Sequence, residues 1–362
     1  MINCKKLILI ISVVFITISC EKGSSPELAD LDDIPTLLKH YGVPGISFAV
    51  VDNYKIVDAQ AFGVVDSETQ EIMTTDTLLQ AASISKPVTA MAAIKIAQDK
   101  GVNFTGNVND YLVSWHIGEN ENTSKEKVTL DRIITHKSGI NVHGFRGYRI
   151  YDEIPTLLQI LNGNPPANSE KIDVGFEPGK KYKYSGGGFI VLQQVLIDIY
   201  KEDFPSILNR TVLGSIGMNN STFESPLESD NPQKFSSGHT TEQEVVEGRF
   251  HIYPELAAAG LWTNPTDLAK FLIEIQLSLK GQSNLVLNEG LSQKMVSSTG
   301  PLFQLSNHFE HSGSNYGFVS EMISYNENGA GIVVMSNSNN GWPVMRAIEE
   351  HVIKVNGWIS SE

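Results

Sequence analysis

Two apolar, β-branched runs follow each other near the start of the chain. ISFAVVD (46–52) and KIVDAQAFGVVD (55–66) are separated by only two polar residues, a pattern that predicts a β-hairpin. We expect a short helix before them, at about 31–41. A second pair of runs near the other end, NYGFVSEMISYN (315–326) and GAGIVVMSNS (329–338), predicts antiparallel strands as well.

The long segment between these strand pairs, about 75–295, shows mainly helical periodicity and loops. A last helix is expected at about 344–355. We therefore predict an α/β (α+β) fold with one antiparallel sheet built from both chain ends. Residues 30–74 and 296–362 form its sheet lobe, and 75–295 form a mostly helical lobe inserted between them. The sequence has no repeat and, after residue 30, no strong linker, so the two lobes should share one interface.

Composition narrows the possible functions. The chain has 362 residues, 41% of them hydrophobic and 19% charged, as in folded globular proteins. The formal net charge of -14 repels phosphate backbones, so nucleic acid is not an expected partner. The two cysteines, Cys4 and Cys20, both lie at the N-terminal end, and an internal disulfide is not expected in the processed protein.

The N-terminal segment carries the pattern of an exported protein. Lys5 and Lys6 precede an apolar run that is short for a membrane span, so we interpret 1–19 as a signal peptide. Cys20 follows in a context that resembles the lipobox of bacterial lipoproteins, with 20–29 as a tether. We expect a protein of the bacterial cell envelope, held at a membrane surface through an acylated Cys20. An ordinary secretory leader is the alternative.

The stretch QAASISKPVTAM (80–91) opens a helical pattern. A helix is expected over 83–100, because its interior lacks breakers and Gly101 follows as a stop. Apolar residues on nearly every face favour a buried helix. Pro87 belongs in the first turn, which places Ser83 at the N-terminal edge.

Ser83 and Lys86 are three residues apart, which brings both side chains to one face of this helix. A neutral lysine there accepts the proton of the serine hydroxyl, provided that burial or a nearby cation lowers its pKa from about 10.4. Serine and lysine are both common at helix starts, so the spacing alone leaves a purely structural role open. Ser85 is the nearest competing serine.

Other polar stretches add candidate chemistry. EPGKKYKYSGGGF places Tyr184 and Ser185 between a Pro-Gly turn and three glycines, where the phenol is able to relay protons. HSGSNYGF leads into a predicted strand that can pair with a bound substrate, or it is only a polar strand entrance. The loop HGFRGY places His143 or Arg146 at a pocket mouth, or else lies on the surface.

Several motifs are missing from the sequence. It contains neither a phosphate-binding G-x-x-x-x-G-K-[ST] loop nor a complete G-x-G-x-x-G pattern. It also lacks the H-E-x-x-H pair of zinc enzymes and the G-x-S-x-G elbow of α/β-hydrolases. We therefore expect no nucleotide, metal or other cofactor, and we interpret the remaining histidines as ordinary surface or core residues.

Taken in order, QAASISKPVTA, KYKYSGGGF and HSGSNYGF resemble the motifs of the serine β-lactamase and penicillin-binding-protein superfamily, which are S-x-x-K, a Tyr- or Ser-led triad and K-T-G. The similarity is to the branch of class C β-lactamases, DD-peptidases and family VIII-type esterases. It extends from VPGISFAVVD to VVMSNS. The resemblance implies a β-lactamase/transpeptidase-like fold, in which helices flank an antiparallel sheet and a helical subdomain is inserted.

The resemblance also implies a role for each matched position. Ser83 corresponds to the acylated nucleophile, Lys86 to the lysine of S-x-x-K and Tyr184 to the tyrosine that shares proton transfer. The backbone N–H groups of Ser83 and Ser314 correspond to the oxyanion hole. The positions expected to bind substrate are Ser185, Gly186, His311, Ser312 and Gly313.

Two positions depart from the family pattern. Gly186 replaces an asparagine that in many relatives holds the acylamide group of the substrate. His311 replaces the lysine of K-T-G, and a histidine with a pKa of about 6.5 is mostly neutral at pH 7. Both changes weaken recognition of penicillin-like anions, so we expect a carboxylesterase or DD-peptidase rather than an efficient β-lactamase.

The expected function is hydrolysis of an ester or amide through an acyl-enzyme on Ser83, with Lys86 or Tyr184 taking the serine proton and water activation assigned to Tyr184. Candidate substrates are a small ester, a D-amino-acid peptide derived from peptidoglycan and a β-lactam. The competing hypothesis is a penicillin-binding or peptidoglycan-sensing lipoprotein that is acylated without turnover.

Overall fold

A computed structural model of the chain describes residues 28–225, 235–325 and 328–358. The predicted signal peptide and Cys20 lie outside these residues. The strands of the described residues are β1 (Gly45–Asp52), β2 (Lys55–Gly63), β3 (Leu79–Gln80), β4 (Trp262–Thr263), β5 (Val296–Ser297), β6 (Leu302–Gln304), β7 (His308–Asn315), β8 (Phe318–Tyr325) and β9 (Ala330–Ser336).

Seven of these strands form one sheet across the described residues, in the order β2-β1-β9-β8-β7-β6-β5. All neighbouring strands are antiparallel except β5 and β6, which run parallel. The pairing of β1 with β9 places Ala49 opposite Val333. Strands from the two ends of the chain are therefore neighbours within one sheet, which confirms the predicted fold class.

Helices complete the molecule. The helices of the described residues are α1 (Ile34–Tyr41), α2 (Ser85–Lys100), α3 (Leu130–Ile134), α4 (Leu157–Asn162), α5 (Gly186–Tyr200), α6 (Phe204–Leu208), α7 (Gly214–Ile216), α8 (Leu256–Ala259), α9 (Pro265–Leu279), α10 (Glu289–Ser292) and α11 (Trp342–Asn356). A π-helical turn, Asn209–Leu213, joins α6 to α7. Within the described residues, none of the helices combines the length and apolar character that a membrane span requires.

Both faces of the sheet are covered, which explains why β9 is buried along its whole length. On one face α1 and α11 pack against the apolar side chains of β1 that include Ile46 and Phe48. On the other face α9 packs against β1 and β9, where Ala49 and Val333 contribute to the larger core. α2 lies within that same core, as its apolar surface predicts.

Element boundaries differ from the predictions at two places near the candidate site. The helix expected from residue 83 begins at Ser85, after a tight 3-10 turn, Ala82–Ile84. The strand expected over 315–326 begins only at Phe318, because Gly317 with a φ of +87° turns the chain between β7 and β8. The HSG stretch therefore lies inside strand β7 and does not merely lead into a strand.

Candidate active site

Ser83 lies in the turn that precedes α2. Ala82 has a φ of 50°, a left-handed conformation that costs about 1–2 kcal/mol for a residue with a Cβ and that its neighbours must hold. The Ser85 hydroxyl helps to hold it, since it donates to Ala82 O at 2.6 Å and accepts from the Leu261 N–H at 2.9 Å. The Ser85 hydroxyl is thus occupied by hydrogen bonds that stabilise the turn, whereas Ser83 lines an open cleft.

Lys86 is buried beside Ser83. Its Nζ donates to Ser83 Oγ at 2.9 Å and to Ala258 O at 2.7 Å. Burial lowers the pKa of Lys86 from its ordinary value near 10.5 to about 7, so a large share of the amine is neutral at neutral pH. A neutral amine at this distance is able to accept the serine proton.

Tyr184 stands just before α5 and faces the same two residues. The centre of its ring is 5.0 Å from Lys86 Nζ. Burial raises the pKa of the Tyr184 phenol to about 12, against an opposing hydrogen bond with Ser83. The phenol therefore keeps its proton at neutral pH, which suits it to donate that proton rather than to act as a base.

A histidine to which the sequence assigned no role packs against Tyr184. The buried His136 ring is stacked on the Tyr184 ring, with centroids 4.3 Å apart. Its Nδ1 accepts the Ser185 N–H at 3.1 Å, which places the ring proton on Nε2. Burial and then the charge of Lys86 hold the pKa of His136 well below 6.5. The neutral His136 ring thus holds Tyr184 in place by stacking on it and by binding the N–H of the next residue, Ser185, which is 49 positions from His136 in the sequence.

Two of the expected substrate-binding residues lie behind Tyr184 instead. Ser185 is buried, and its hydroxyl donates to Asn141 O at 2.8 Å and caps α5. Gly186 donates its N–H to His143 O at 2.9 Å, and a Cβ at this glycine would lie 3.1 Å from the Phe145 ring. The loop that carries His143 and Phe145 therefore covers both residues. This arrangement corrects the expectation, because neither Ser185 nor Gly186 lines the cleft.

Strand β7 forms the opposite wall. His311 is buried, with its ring stacked on that of Phe303 at 5.3 Å, and its Nδ1 donates to Ser312 O at 2.8 Å. Burial, and next the charge of Lys86, lower the pKa of His311 to about 3. The ring is therefore neutral at every pH of practical interest, a larger effect than the sequence predicted.

β7 approaches the Ser83 turn most closely at Gly313. A Cβ at this position would lie 2.3 Å from Ala81 O and 2.9 Å from Ser83 N, so only glycine fits without displacing backbone. Ser314 follows on the same strand and lines the same cleft. The backbone N–H groups of Ser83 and Ser314 thus belong to adjoining segments, as a pair of oxyanion donors requires.

The open space between these walls has a volume of about 470 Å³. The loop over α5 contributes His143 to its lining but not Arg146, so one of the two proposed mouth residues reaches it. Among the described residues, no group of three or more His, Cys, Asp or Glu side chains could hold a metal ion. The residues lining the cleft are Ser83, Lys86, His143, Gly144, Phe145, Tyr182, Tyr184, Ala258, Ala259, Phe303, His311, Ser312, Gly313, Ser314, Asn315 and Trp342.

Solved structures share this fold. The octameric penicillin-binding protein homologue from Pyrococcus abyssi superposes with a TM-score of 0.73 at 20% identity, over 91% of this chain and 78% of that one. The D-amino acid amidase from Ochrobactrum anthropi SV3 gives a TM-score of 0.69 at 19% identity, over 88% of this chain and 98% of that one. At these identities the similarity establishes the fold.

Sequence relatives extend the comparison. Protein flp of Staphylococcus aureus (strain MRSA252) is 23% identical over 329 residues, which cover 84% of this chain and 62% of flp. The chain thus spans less than two thirds of the length of this relative. The family described as Beta-lactamase matches residues 32–355, which include every residue that lines the cleft. The chain belongs to the β-lactamase family.

Proposed function

We propose that this protein is a serine hydrolase that cleaves an ester or amide through an acyl-enzyme on Ser83. One observation carries the proposal: Lys86 Nζ lies 2.9 Å from Ser83 Oγ and has a pKa of about 7 because it is buried. Nucleophilic catalysis by a serine needs a base beside the hydroxyl, and a lysine that is largely neutral at neutral pH provides one.

In the proposed acylation step, the Ser83 hydroxyl gives its proton to neutral Lys86 while Oγ bonds to the substrate carbonyl carbon. The carbonyl oxygen becomes an oxyanion between the N–H groups of Ser83 and Ser314; each such donor typically lowers the barrier by about 3 kcal/mol. The carbonyl then re-forms, the bond from its carbon to the leaving group breaks, Tyr184 protonates the leaving group, and the proton held by Lys86 restores the phenol.

Deacylation follows the same route with water as the nucleophile. The sequence suggested Tyr184 as the group that activates this water, but burial raises the pKa of its phenol to about 12. We therefore assign water activation to Lys86, whose pKa is about 7. Water forms the new C–O bond, the Ser83–acyl bond breaks, and Ser83 Oγ recovers its proton through Tyr184.

Turnover of p-nitrophenyl acetate tests the proposal. The wild-type protein should release nitrophenol steadily, and Ser83→Ala should lose at least about 1000-fold, since subtilisin loses more than this when its nucleophile is removed. Ser298→Ala, which changes an exposed serine outside the cleft, should retain turnover. A fluorophosphonate that labels any serine other than Ser83 in peptide mapping would exclude the assignment.

A second candidate function is a receptor that is acylated once and does not turn over. It is favoured by the absence of any Asp or Glu among the described residues that line the cleft, which leaves Lys86 as the principal base for deacylation. A burst of one equivalent of nitrophenol, with no further release over many hours, would support the receptor. Continued release that requires Ser83 would support the hydrolase.

We further propose that the protein is exported and anchored at a membrane surface of the bacterial envelope through Cys20. The support lies in the apolar leader and the lipobox-like context of this cysteine. Cells grown with labelled palmitate should yield a labelled wild-type protein and an unlabelled Cys20→Ser variant. Equal labelling of both would refute the anchor.

A further inference from the structure

The cleft contains no permanent charge among its described lining residues. Its only basic residue besides histidine is Lys86, whose Nζ is already bonded to Ser83 Oγ and Ala258 O. His311 occupies the place of the family lysine as a buried, neutral ring. A substrate carboxylate would lose its hydration on entering and would find no fixed cation to replace it.

Aromatic rings, rather than charged side chains, form much of the lining of the cleft. Tyr182 packs edge to face on Phe303 with centroids 6.4 Å apart, and Phe303 is stacked on His311 at 5.3 Å, so the three form one continuous wall. Phe145 and Trp342 line the same cleft. Flat apolar groups bind well against such surfaces.

The loop over Gly186 supports the same conclusion. His143 O accepts the Gly186 N–H, and the Phe145 ring lies only 3.1 Å from the position of a Cβ at Gly186. An amide side chain that could hold a polar acylamide group is therefore replaced by an aromatic ring. Both walls of the cleft present apolar surface to the acyl part of a substrate.

We propose that this cleft selects acyl donors that are uncharged and carry a flat apolar group, and that it discriminates against donors carrying a carboxylate. This inference rests on the proposed function, because it concerns the acyl donors that the proposed hydrolase would take as substrates. The selectivity itself can be tested by measuring ligand binding alone. Penicillins and peptides that end in a free carboxylate are therefore poor ligands, and neutral aryl or arylalkyl esters and amides are good ones.

The test compares three ligands on the Ser83→Ala protein by calorimetric titration, about one pH unit above the pKa of Lys86. Phenylacetamide and phenylacetate have the same shape and differ in charge, whereas acetamide lacks the ring. Phenylacetamide should bind at least about tenfold more tightly than either of the others, a difference of about 1.4 kcal/mol in each case.

Variants of Gly144 test whether the lack of a cation in the cleft causes the preference for phenylacetamide over phenylacetate. This residue lines the cleft, and a Cβ there would meet nothing within 4 Å, so Gly144→Lys adds a cation at the rim without steric cost. It should reduce the preference for phenylacetamide over phenylacetate to about threefold or less. Gly144→Gln, of similar size and uncharged, should keep the preference. Gly175→Lys, at an equally open position outside the cleft, should also keep it.

Equal affinity of the Ser83→Ala protein for phenylacetamide and phenylacetate would overturn the inference, and so would failure to bind either. An effect of Gly175→Lys as large as that of Gly144→Lys would overturn it too, because the net charge of the protein would then be the cause. A tenfold amide preference together with no ester turnover by the wild type would reject the proposed function and leave the selectivity standing.

Discussion

Lys86 gains its reactive character from residues that are distant in sequence. Its spacing from Ser83 is visible in the sequence, but the desolvation that lowers its pKa depends on burial in the assembled core. Ala258, which accepts a hydrogen bond from Nζ, lies 172 positions away. The pair could therefore be predicted from sequence as a candidate, while its chemistry required the fold.

The protonation of Lys86 should govern the pH dependence of the reaction. A protonated amine cannot accept the Ser83 proton, so kcat/KM for p-nitrophenyl acetate should rise about tenfold per pH unit well below the Lys86 pKa of about 7 and level off above it. Lys86→Arg, which keeps a cation at all practical pH values, should be inactive throughout. A profile without this rise in a protein that stays folded would assign the base to another group.

At the scale of elements, patterns of apolar residues predicted β1, β2, β8 and β9 but not β7, whose polar residues line the cleft. β1, β8 and β9 are largely apolar, whereas β7 reads HFEHSGSN and buries alternate residues, including His311 and Gly313. Small and polar side chains can face a protein interior when a neighbouring segment approaches closely. That approach is a tertiary feature, so hydrophobic periodicity does not reveal it.

The contact between β7 and the Ser83 turn should be sensitive to one methyl group. Gly313→Ala would place a Cβ 2.3 Å from Ala81 O and 2.9 Å from Ser83 N, which forces the two backbones apart. Displacement of the oxyanion donors should lower kcat/KM by about 100-fold or more. Steady-state kinetics with a circular dichroism spectrum of each variant would measure this effect.

Gly175→Ala is the matched control, since a Cβ at Gly175 would meet nothing within 4 Å. It should keep both activity and fold. If Gly313→Ala retained full activity, the strand would have room to move, and the proposed oxyanion geometry at Ser314 would need to be abandoned.

At the scale of the whole molecule, a buried acid beside the cleft links stability to pH. Glu255 precedes α8 and is fully buried, close to the hydroxyl of Tyr148. Burial raises its pKa from 4.5 to about 8. Between these values the folded protein keeps a proton that the unfolded chain releases, so this carboxyl makes the protein less stable as pH rises.

Glu255→Gln should therefore be more stable than the wild type near pH 8, with an advantage that shrinks as pH falls toward 4.5. The free energy of unfolding of the wild type should change relative to the variant by up to about 1.4 kcal/mol per pH unit. Urea denaturation of both proteins across this range would measure the difference. An advantage that does not vary with pH would show that Glu255 does not titrate on unfolding.

The pairing of β1, near the start of the chain, with β9, near its end, has a consequence for how the protein is made. A ribosome completes β1 and the Ser83 turn early, yet β7 and β9, on which both depend, are translated almost last. Contacts so distant along the chain form slowly, because a long loop must close before they stabilise anything. If Ser83 acts as proposed, a nascent chain has neither a closed sheet nor a complete site, and reactivity toward acyl compounds should begin only when synthesis is nearly finished.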